Sequence, residues 1–460
     1  MEFAILAVFI IGYIAIAFEH SIKIDKASTA LLTGVLCWAM LVVGIHYIPE
    51  HSLGYFEELR GFLKLTENED LTAHSFFDYR LLHHLQDIAG ILLFLMGAMT
   101  IVEVVDAHEG FRIITDRINS KSKVKLLWVL SILTFFLSAA LDNLTTAIVM
   151  ISLSRKLIGD TKTRWFFGGM IVIAANAGGA WTPIGDVTTT MLWIGKQITS
   201  VSIMKEIFLA SLMNLIVPLI ILSFVLKGNI ERPENVEEES AVLPRERAVA
   251  FFLGVGGLLF VPIFKSVTHL PPFMGIMFSL GIVWVATELM HGKKMDDEKH
   301  KYSALHALRK IDMPSVLFFL GILLAVAALQ EVGHLITLAQ GLRDGLGNMY
   351  AINIAIGLLS AVIDNVPLVA ASMNMYPVSP ALTGDAWADL FVQDGPFWHF
   401  LAYTAGTGGS ILIIGSAAGV AVMGLEKIDF MWYLKKITPW ALIGYFAGAA
   451  VYIIEMMLWH

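Results

Sequence analysis

Two aspartate–asparagine pairs lie inside long apolar stretches of the sequence. Asp142-Asn143 and Asp364-Asn365 stand 222 residues apart, and each pair follows the same Ser-Ala-x-x phrase. A charged side chain in such a stretch costs about 3 kcal/mol or more in a membrane, so an aspartate there is interpreted as functional. A carboxylate can bind either a proton or a hard cation. Two such pairs in matching frames therefore predict an internal repeat and a site at which a cation and a proton compete.

A glycine-rich stretch follows each pair. Over 176–186 it reads Asn-Ala-Gly-Gly-Ala-Trp-Thr-Pro-Ile-Gly-Asp, and its counterpart in the second half lacks the proline and the acid. Glycine and proline do not sustain a continuous helix, so each stretch predicts a break that exposes two half-helix ends. Broken spans in corresponding positions of two halves point to the substrate site of a transporter. The residues expected to form the breaks are Gly178, Gly179, Pro183, Gly185, Gly408 and Gly409.

The polar side chains near the pairs and the breaks are rich in oxygen atoms. Oxygen ligands suit hard cations, and the apolar spans hold no cysteine–histidine cluster that would suit zinc. Plainer interpretations stay open: the asparagines could tie the hairpin tips, Thr145 could cap a returning helix, and the glycines could serve close packing. The predicted cation- and proton-binding residues are Asp142, Asn143, Thr145, Asn176, Thr182, Asp186, Thr188, Thr189, Asp364, Asn365, Ser410 and Ser416.

Composition assigns the chain to the membrane. Of its 460 residues 57% are hydrophobic and 15% are charged, against about 25% charged residues in soluble domains. The mean hydropathy is +0.72, and many apolar runs reach about 20 residues, which suits helices and exceeds the strands of a barrel. The sequence predicts an all-α polytopic membrane protein with the lipid bilayer, and no nucleic acid, as its partner. The first span, 3–18, has no cleavage signal and is expected to be retained.

Two apolar pieces, 145–153 and 366–375, are too short to cross a bilayer at about 1.5 Å per residue. Each follows an aspartate–asparagine pair, so we expect each to return to its side of entry as part of a re-entrant hairpin. Each half then makes five crossings, and an odd number makes the halves inverted repeats. The predicted parts are a first repeat, 1–226, with hairpin 126–153 and broken helix 165–194; a cytoplasmic linker, 227–247; and a second repeat, 248–460, with hairpin 349–375 and broken helix 397–424.

The positions of lysine and arginine give this layout an orientation. Of the 31 residues, 24 fall in one set of loops, which includes both flanks of the first hairpin. Cytoplasmic loops carry an excess of these residues. The first hairpin is therefore predicted to open to the cytoplasm, the second to open outside, and both termini to be external. The expected location is the inner (plasma) membrane of a bacterium.

Four motifs carry a resemblance to a known family. SAALDNLTTAIVM and ANAGGAWTPIGDVTTTM, with SAVIDNVPLVAASM and AGTGGSILIIGSAAG, resemble the NhaD-type sodium/proton antiporters of the ion transporter superfamily. The resemblance covers most of the chain. It implies hairpins and broken helices that meet at the membrane midplane, a homodimer, and exchange of cytoplasmic Na+, or Li+, for external H+ without a cofactor. The Na+ ligands that it implies are Asp142, Asn143, Asp364 and Asn365.

Other substrates and one enzyme class are the alternatives. Arsenite permeases and dicarboxylate–sodium symporters are more distantly similar, and the dicarboxylate carriers place Ser-Asn-Thr at their hairpin tips, where this chain has Asp-Asn. A hydroxyl can donate to a substrate carboxylate whereas an aspartate repels it, so the tips favour a bare cation. An intramembrane aspartyl protease also pairs two buried aspartates. Leu141 and Ile363 stand where its motifs require tyrosine and glycine, so we expect a transporter and not an enzyme.

Overall fold

The computed structural model describes residues 2–17, 19–44, 73–115, 118, 120–231, 242–291 and 302–459. Within these ranges the regular elements are helices, one of them a short 3-10 helix, with two isolated β-bridges. Eight helices of the described residues are long and apolar enough to cross a bilayer. The prediction of an all-α polytopic membrane protein is confirmed at this level. The middle of the predicted linker, 232–241, lies outside the described residues.

The first half of the chain forms the helices around the first aspartate–asparagine pair. The predicted hairpin and the predicted broken helix each consist of two separate helices. In chain order the helices are Glu2–Ala17 (α1), Glu19–Ile22 (α2), Lys26–Val43 (α3), Ala73–Ala107 (α4), Arg112–Thr115 (α5), Lys123–Leu141 (α6), Asn143–Leu157 (α7), Thr161–Ala180 (α8), Val187–Ile194 (α9) and Ser200–Val225 (α10).

The second half follows a similar order of long helices, hairpin and broken helix. Its helices are Pro244–Thr268 (α11), Pro272–His291 (α12), Ala304–Lys310 (α13), Met313–Glu331 (α14), His334–Leu346 (α15), Met349–Leu359 (α16), Asn365–Met375 (α17), Pro396–Gly408 (α18), Ala417–Glu426 (α19), Phe430–Lys436 (α20) and Thr438–Trp459 (α21), with a 3-10 helix at Ala388–Phe391. Helix α15 was not among the predicted apolar spans, because it is amphipathic and polar residues interrupt its apolar run.

Both ends of the α6–α7 pair are bonded to one short segment, 228–231. The N–H of Lys123, at the start of α6, donates to the carbonyl of Gly228 over 3.1 Å. The N–H of Gly159, just after α7, donates to the carbonyl of Glu231 over 2.9 Å. Two helices of 19 and 15 residues thus leave and return to the same place, so the chain reverses direction at their junction.

Each hairpin is bonded to the broken helix of its own half through a serine. The hydroxyl of Ser138 donates to the carbonyl of Ala175 over 2.6 Å, and that of Ser360 donates to the carbonyl of Ala405 over 2.7 Å. These serines begin the two Ser-Ala phrases of the sequence. The repeated phrase therefore corresponds to a repeated hydrogen bond that fixes a hairpin against a half-helix.

The helices form two compact units, and both halves of the chain contribute to each. Every predicted site residue belongs to the second unit. The first unit comprises Met1–Leu92, Asp312–Gly347 and Ala370–Pro377, and the second comprises Leu93–Ile311, Asn348–Val369 and Val378–His460.

The first unit contains a close helix pair and a buried ion cluster. Helices α3 and α14 approach each other where Gly34 and Gly321 face the opposite backbone, and a Cβ atom at either position would overlap that backbone. At the end of α14 the Glu331 side chain is buried and accepts hydrogen bonds from Arg80, at 2.9 and 2.6 Å, while His84 Nε2 lies 2.7 Å from its Oε1. The cluster joins α4 to α14 within this unit.

Candidate functional site

The first hairpin turns at Asp142, whose φ of 131° lies in a region that favours glycine. Holding a non-glycine residue there costs about 1–3 kcal/mol, and such residues cluster at functional sites. The carboxylate of Asp142 caps α7. Its Oδ1 accepts the Thr145 N–H over 2.8 Å and its Oδ2 accepts the Thr145 hydroxyl over 2.7 Å. Thr145 therefore takes part in the helix cap, as the plainer interpretation proposed, and also contacts a predicted ligand.

The broken helix places Asp186 at the start of α9. The turn between α8 and α9 brings Gly185 against Gly179, where a Cβ atom would overlap the Gly185 carbonyl. The hydroxyl of Thr182 donates to the carbonyl of Ala139 over 2.7 Å, which fixes the turn to the first hairpin. Glycine at these positions thus allows the close approach that orients the Asp186 side chain.

Asp186 is the centre of the polar cluster. The residue is 2% exposed, and its Oδ2 accepts hydrogen bonds from Asn143 Nδ2 over 2.7 Å and from Asn365 Nδ2 over 3.3 Å. Its Oδ1 caps α9 by accepting the N–H of Thr188 over 2.9 Å and the Thr188 hydroxyl over 3.0 Å. One carboxylate therefore receives an asparagine from each of the two hairpin tips.

Asn176 extends the cluster to the second broken helix. Its Oδ1 accepts Asn143 Nδ2 over 3.1 Å, and its Nδ2 donates to the hydroxyl oxygen of Ser416 over 3.0 Å. Ser416 caps α19 by accepting the N–H of Gly419 over 3.2 Å. Ser416 thus occupies the position in the second half that Asp186 occupies in the first, at the start of the second half-helix.

The two tip aspartates lie beside this centre and are partly exposed. The Oδ1 of Asp364 accepts the Val366 N–H over 3.3 Å at the start of α17. Asp142 and Asp364 both lie within electrostatic range of Asp186. A charge inside an apolar run is the strongest signal in the sequence, and it singles out the tip aspartates. The structure buries Asp186, Asn143 and Asn365 more fully than the two tip aspartates.

Three predicted site hydroxyls serve the backbone in this structure. Thr182 bonds to the first hairpin, as described above. Thr189 donates to the carbonyl of Asp186 over 2.9 Å, and Ser410 donates to that of Thr407 over 2.7 Å. Pro183 lies in the turn, where its carbonyl accepts the Thr190 hydroxyl over 3.0 Å. These residues shape the breaks and are not bonded to the side chains that surround the Asp186 carboxylate.

The remaining predicted glycines pack against hairpin backbones. A Cβ atom on Gly178 would overlap the carbonyl of Phe135, and one on Gly408 would overlap that of Gly357. Gly409 faces the carbonyl of Gly415 in the same way as Gly179 faces Gly185. These glycines are closely packed, which is the interpretation that the sequence left open. The same close packing lets each hairpin approach its broken helix.

Several residues of the site were absent from the predicted set. Ser138 and Ser360 bond the hairpins to the broken helices, and their place in the repeated phrase was a usable signal. Gly406 lies against the Asp186 carboxylate, with 3.9 Å between an added Cβ and Oδ2. The buried hydroxyl of Thr146, one turn after Asn143, has no hydrogen-bond partner among the described residues.

The chemistry of the cluster is that of a small hard cation or a proton. Its donors and acceptors are carboxylate, amide and hydroxyl groups, which suit alkali cations. Across the described ranges no group of three or more histidine, cysteine, aspartate or glutamate residues could hold a metal ion. The arrangement offers one buried carboxylate with amide and hydroxyl groups around it and with the carboxylates of Asp142 and Asp364 nearby.

Comparison with known proteins agrees with this chemistry. Residues 5–392 match a family described as "Citrate transporter". The chain is 44% identical to sodium/proton antiporter 1 of Arabidopsis thaliana, over 98% of this chain and 72% of the relative. It is 42% identical to sodium/proton antiporter 2 of the same plant, over 96% of this chain and 97% of the relative. The Na(+)/H(+) antiporter NhaD of Alkalimonas amylolytica is 29% identical over 98% of this chain and 90% of the relative.

The chain belongs to the NhaD-type sodium/proton antiporter family. The resemblance read from the motifs is thereby confirmed, and it extends over nearly the whole chain. The relatives within this family come from a plant and from bacteria. Integral membrane location and a transporter rather than an enzyme follow from the relatives and from the apolar helices.

Proposed function

We propose that this protein exchanges cytoplasmic Na+ for external H+, with Asp186 and the two aspartate–asparagine pairs as the shared binding site. The contact of one buried carboxylate with asparagines from both hairpins carries the proposal. A site for exchange must hold either ion but not both. A single buried carboxylate satisfies this condition, because a proton and a cation use the same oxygens.

The asparagine amides can follow the charge of the carboxylate. With Asp186 ionised, Asn143 and Asn365 donate their N–H groups to Oδ2. When Na+ binds, an amide rotated about its last bond presents its carbonyl oxygen to the cation instead, since an amide carries a donor and an acceptor. A protonated Asp186 would donate its O–H to the same carbonyl oxygens. The two hairpin tips therefore contact Asp186 in each state and can move with it.

The tip aspartates supply further charge next to the cation. Asp142, Asp186 and Asp364 each accept a backbone N–H near the start of a helix. The positive end of a helix favours an ionised carboxylate by about 0.3–1 kcal/mol at exposed sites. These helix ends would help each carboxylate release its proton when Na+ arrives. The proposed ligands of Na+, or of Li+ as an alternative ion, therefore include the four tip residues Asp142, Asn143, Asp364 and Asn365.

Exchange of Na+ is favoured over transport of citrate or arsenite. The matched family is described as a citrate transporter family, but the two Arabidopsis relatives at 42–44% identity are named sodium/proton antiporters. Asp142 and Asp364 each lie within electrostatic range of Asp186, and three carboxylates placed in this way would repel a citrate anion. A carboxylate carrier would need donors where Asp142 and Asp364 stand, and these two carboxylates are acceptors.

We extend the proposal to the layout in the membrane. The two hydrogen bonds from the ends of the first hairpin to 228–231 support a re-entrant hairpin that opens on one side. The paired serine contacts and the paired helix caps support an internal repeat, which the odd number of crossings would invert. The repeats 1–226 and 248–460 with linker 227–247, a homodimer, external termini and an inner-membrane location complete the proposal.

Ion-driven proton flux in proteoliposomes tests the function. In proteoliposomes with the wild-type protein, protons should move in the direction opposite to the flow of Na+, whichever way the Na+ gradient points. Gradients of citrate or arsenite should move no protons. Asp186→Asn should abolish the Na+-driven flux, because the amide binds neither a proton nor Na+ in the same way. Lys205→Ala, which breaks an exposed ion pair with Glu206, serves as the matched control. Citrate-driven flux without Na+-driven proton movement would refute the proposal.

A further inference from the structure

Helices α7 and α19 run side by side in the second unit, and both begin at the polar cluster. Helix α7 begins at Asn143, and α19 begins directly after its cap, Ser416. Each of these residues is bonded to Asn176, at 3.1 and 3.0 Å. The two half-helices therefore supply adjacent parts of the site from opposite halves of the sequence.

The far ends of the same two helices are joined by a buried ion cluster. Glu426, the last residue of α19, has a side chain that is 1% exposed. Its Oε1 accepts Nε of Arg155, from α7, over 2.5 Å, and its Oε2 accepts Nε of Arg164, from α8, over 2.9 Å. Its carbonyl accepts Trp165 Nε1 over 3.1 Å, and Arg155 also donates to the carbonyl of Leu425. Both oxygens of the buried carboxylate are thus bonded to cations.

We propose that Glu426 is a positioning residue for the cation site, which it controls through the register of α19 against α7. The inference rests on the proposed binding of Na+ at the polar cluster. An α-helix rises about 1.5 Å per residue and is stiff over this length, so a shift of its last residue moves its first. A hydrogen bond tolerates only a few tenths of an ångström around about 2.9 Å. A slide of α19 would therefore separate Ser416 from Asn176.

Glu426→Gln is the direct test, because it removes the charge and nearly keeps the shape. We expect the apparent KM for Na+ in proteoliposomes to rise by about tenfold, since small displacements of binding groups have large effects. The maximum rate per folded protein should change by less than about twofold, because Asp142, Asp186 and Asp364 stay in place. Glu426→Asp should recover part of the Na+ affinity.

Arg155→Met is a second variant in case loss of the buried charge prevents folding. Arg155 is 45% exposed and Arg164 remains bonded to Glu426, so this variant should fold and shift the KM for Na+ in the same direction by a smaller factor. Lys205→Ala is again the control and should leave the KM unchanged. An unchanged KM for Na+ in folded Glu426→Gln overturns the positioning role. If Glu426→Gln does not fold, an unchanged KM in Arg155→Met overturns it. Absence of Na+-driven flux in the wild type overturns the proposed function instead.

Discussion

The side-chain amide of Asn365 lies 3.3 Å from the carboxylate of Asp186, although 179 residues separate them. Asn365 starts the returning helix of the second hairpin, and Asp186 starts the second part of the first broken helix. The contact joins the two halves of the sequence at one buried acid. An ion that binds to Asp186 therefore changes the hydrogen bonding of both halves at once.

Replacing Asn365 with leucine should weaken Na+ binding. Leucine keeps a similar volume but offers neither the N–H that Asp186 accepts now nor the carbonyl oxygen proposed for Na+. Loss of one partner of a buried polar group costs about 1–3 kcal/mol, which corresponds to roughly a 5-fold to 160-fold rise in the KM for Na+. The dependence of proton flux on Na+ concentration measures this change.

Asn374→Leu is the matched control for that variant. Asn374 lies on the same helix, and among the described residues its amide donates to the carbonyl of Ala370, one turn earlier, over 3.0 Å. Its replacement should leave the Na+ dependence close to that of the wild type. Equal effects of the two substitutions would show that the helix, and not the contact with Asp186, determines the affinity.

Asp142→Asn and Asp364→Asn should each remove most of the Na+/H+ exchange. Each substitution deletes a charge and a proton site while nearly keeping the shape, so the protein should still insert in the membrane. Na+-driven proton flux per folded protein measures the exchange, and the amount of protein recovered from the membrane shows whether each variant inserts. Wild-type exchange in either variant would show that its carboxylate takes no part in coupling, and would leave Asp186 as the site of exchange.

The sequence indicated which segments form the site because charge and glycine are rare in apolar runs. Asp142, Asp364 and the break before Asp186 could be found from this signal alone. The contacts of Asn143 and Asn365 with Asp186 could not be predicted in this way, because they depend on how the two hairpins pack against the broken helices. The sequence ranked the tip aspartates first for that reason, whereas the tertiary structure gives the buried contacts to Asp186.

The ion cluster at Glu426 shows the same limit at the other end of the helices. In the sequence Arg155 and Arg164 count only as cations that mark one side of the membrane, and Glu426 is not among the predicted site residues. Glu426 lies more than 260 positions from either arginine, so no local sequence pattern connects them. Only the packing of α7 against α19 places the three side chains together, so this part of the site had no signal in the sequence.

Acid should release the loop that follows the second hairpin from the start of α10. Burial alone would raise the pKa of Asp394, but the His399 ring, whose Nε2 lies 3.7 Å from Oδ1, and hydrogen bonds from Thr199 outweigh it and hold the pKa below its ordinary value. Asp394 accepts the Thr199 N–H over 2.6 Å and the Thr199 hydroxyl over 2.8 Å. Because the folded pKa is the lower one, this stabilisation is present above the unfolded value of about 3.9. It is lost as the pH falls through the folded pKa.

Cleavage of this loop by pepsin at decreasing pH measures the effect. The wild-type loop should become sensitive below about pH 4, and Asp394→Asn should be sensitive already above that pH because the charged acceptor is missing. Glu206→Gln, which changes an acid on α10 that pairs with exposed Lys205, should behave as the wild type. A loop of equal sensitivity in Asp394→Asn and wild type would contradict the proposed attachment.

Single cysteines at Lys121 and Lys162 should report the same side of the membrane. Both residues are exposed and flank the first hairpin, whose ends are bonded to 228–231. With Cys37 replaced, neither cysteine should react with an impermeant thiol reagent in intact cells, and both should react in inverted vesicles. A cysteine at exposed Asp385, in the loop after the second hairpin, should react in intact cells.

If Lys121 and Lys162 reported opposite sides, 126–153 would be a true crossing and each half would have an even number of spans. The halves would then have the same orientation, and the inverted repeat would be refuted. A shared cytoplasmic location with an external Asp385 would leave two hairpins that enter from opposite faces and meet at Asp186.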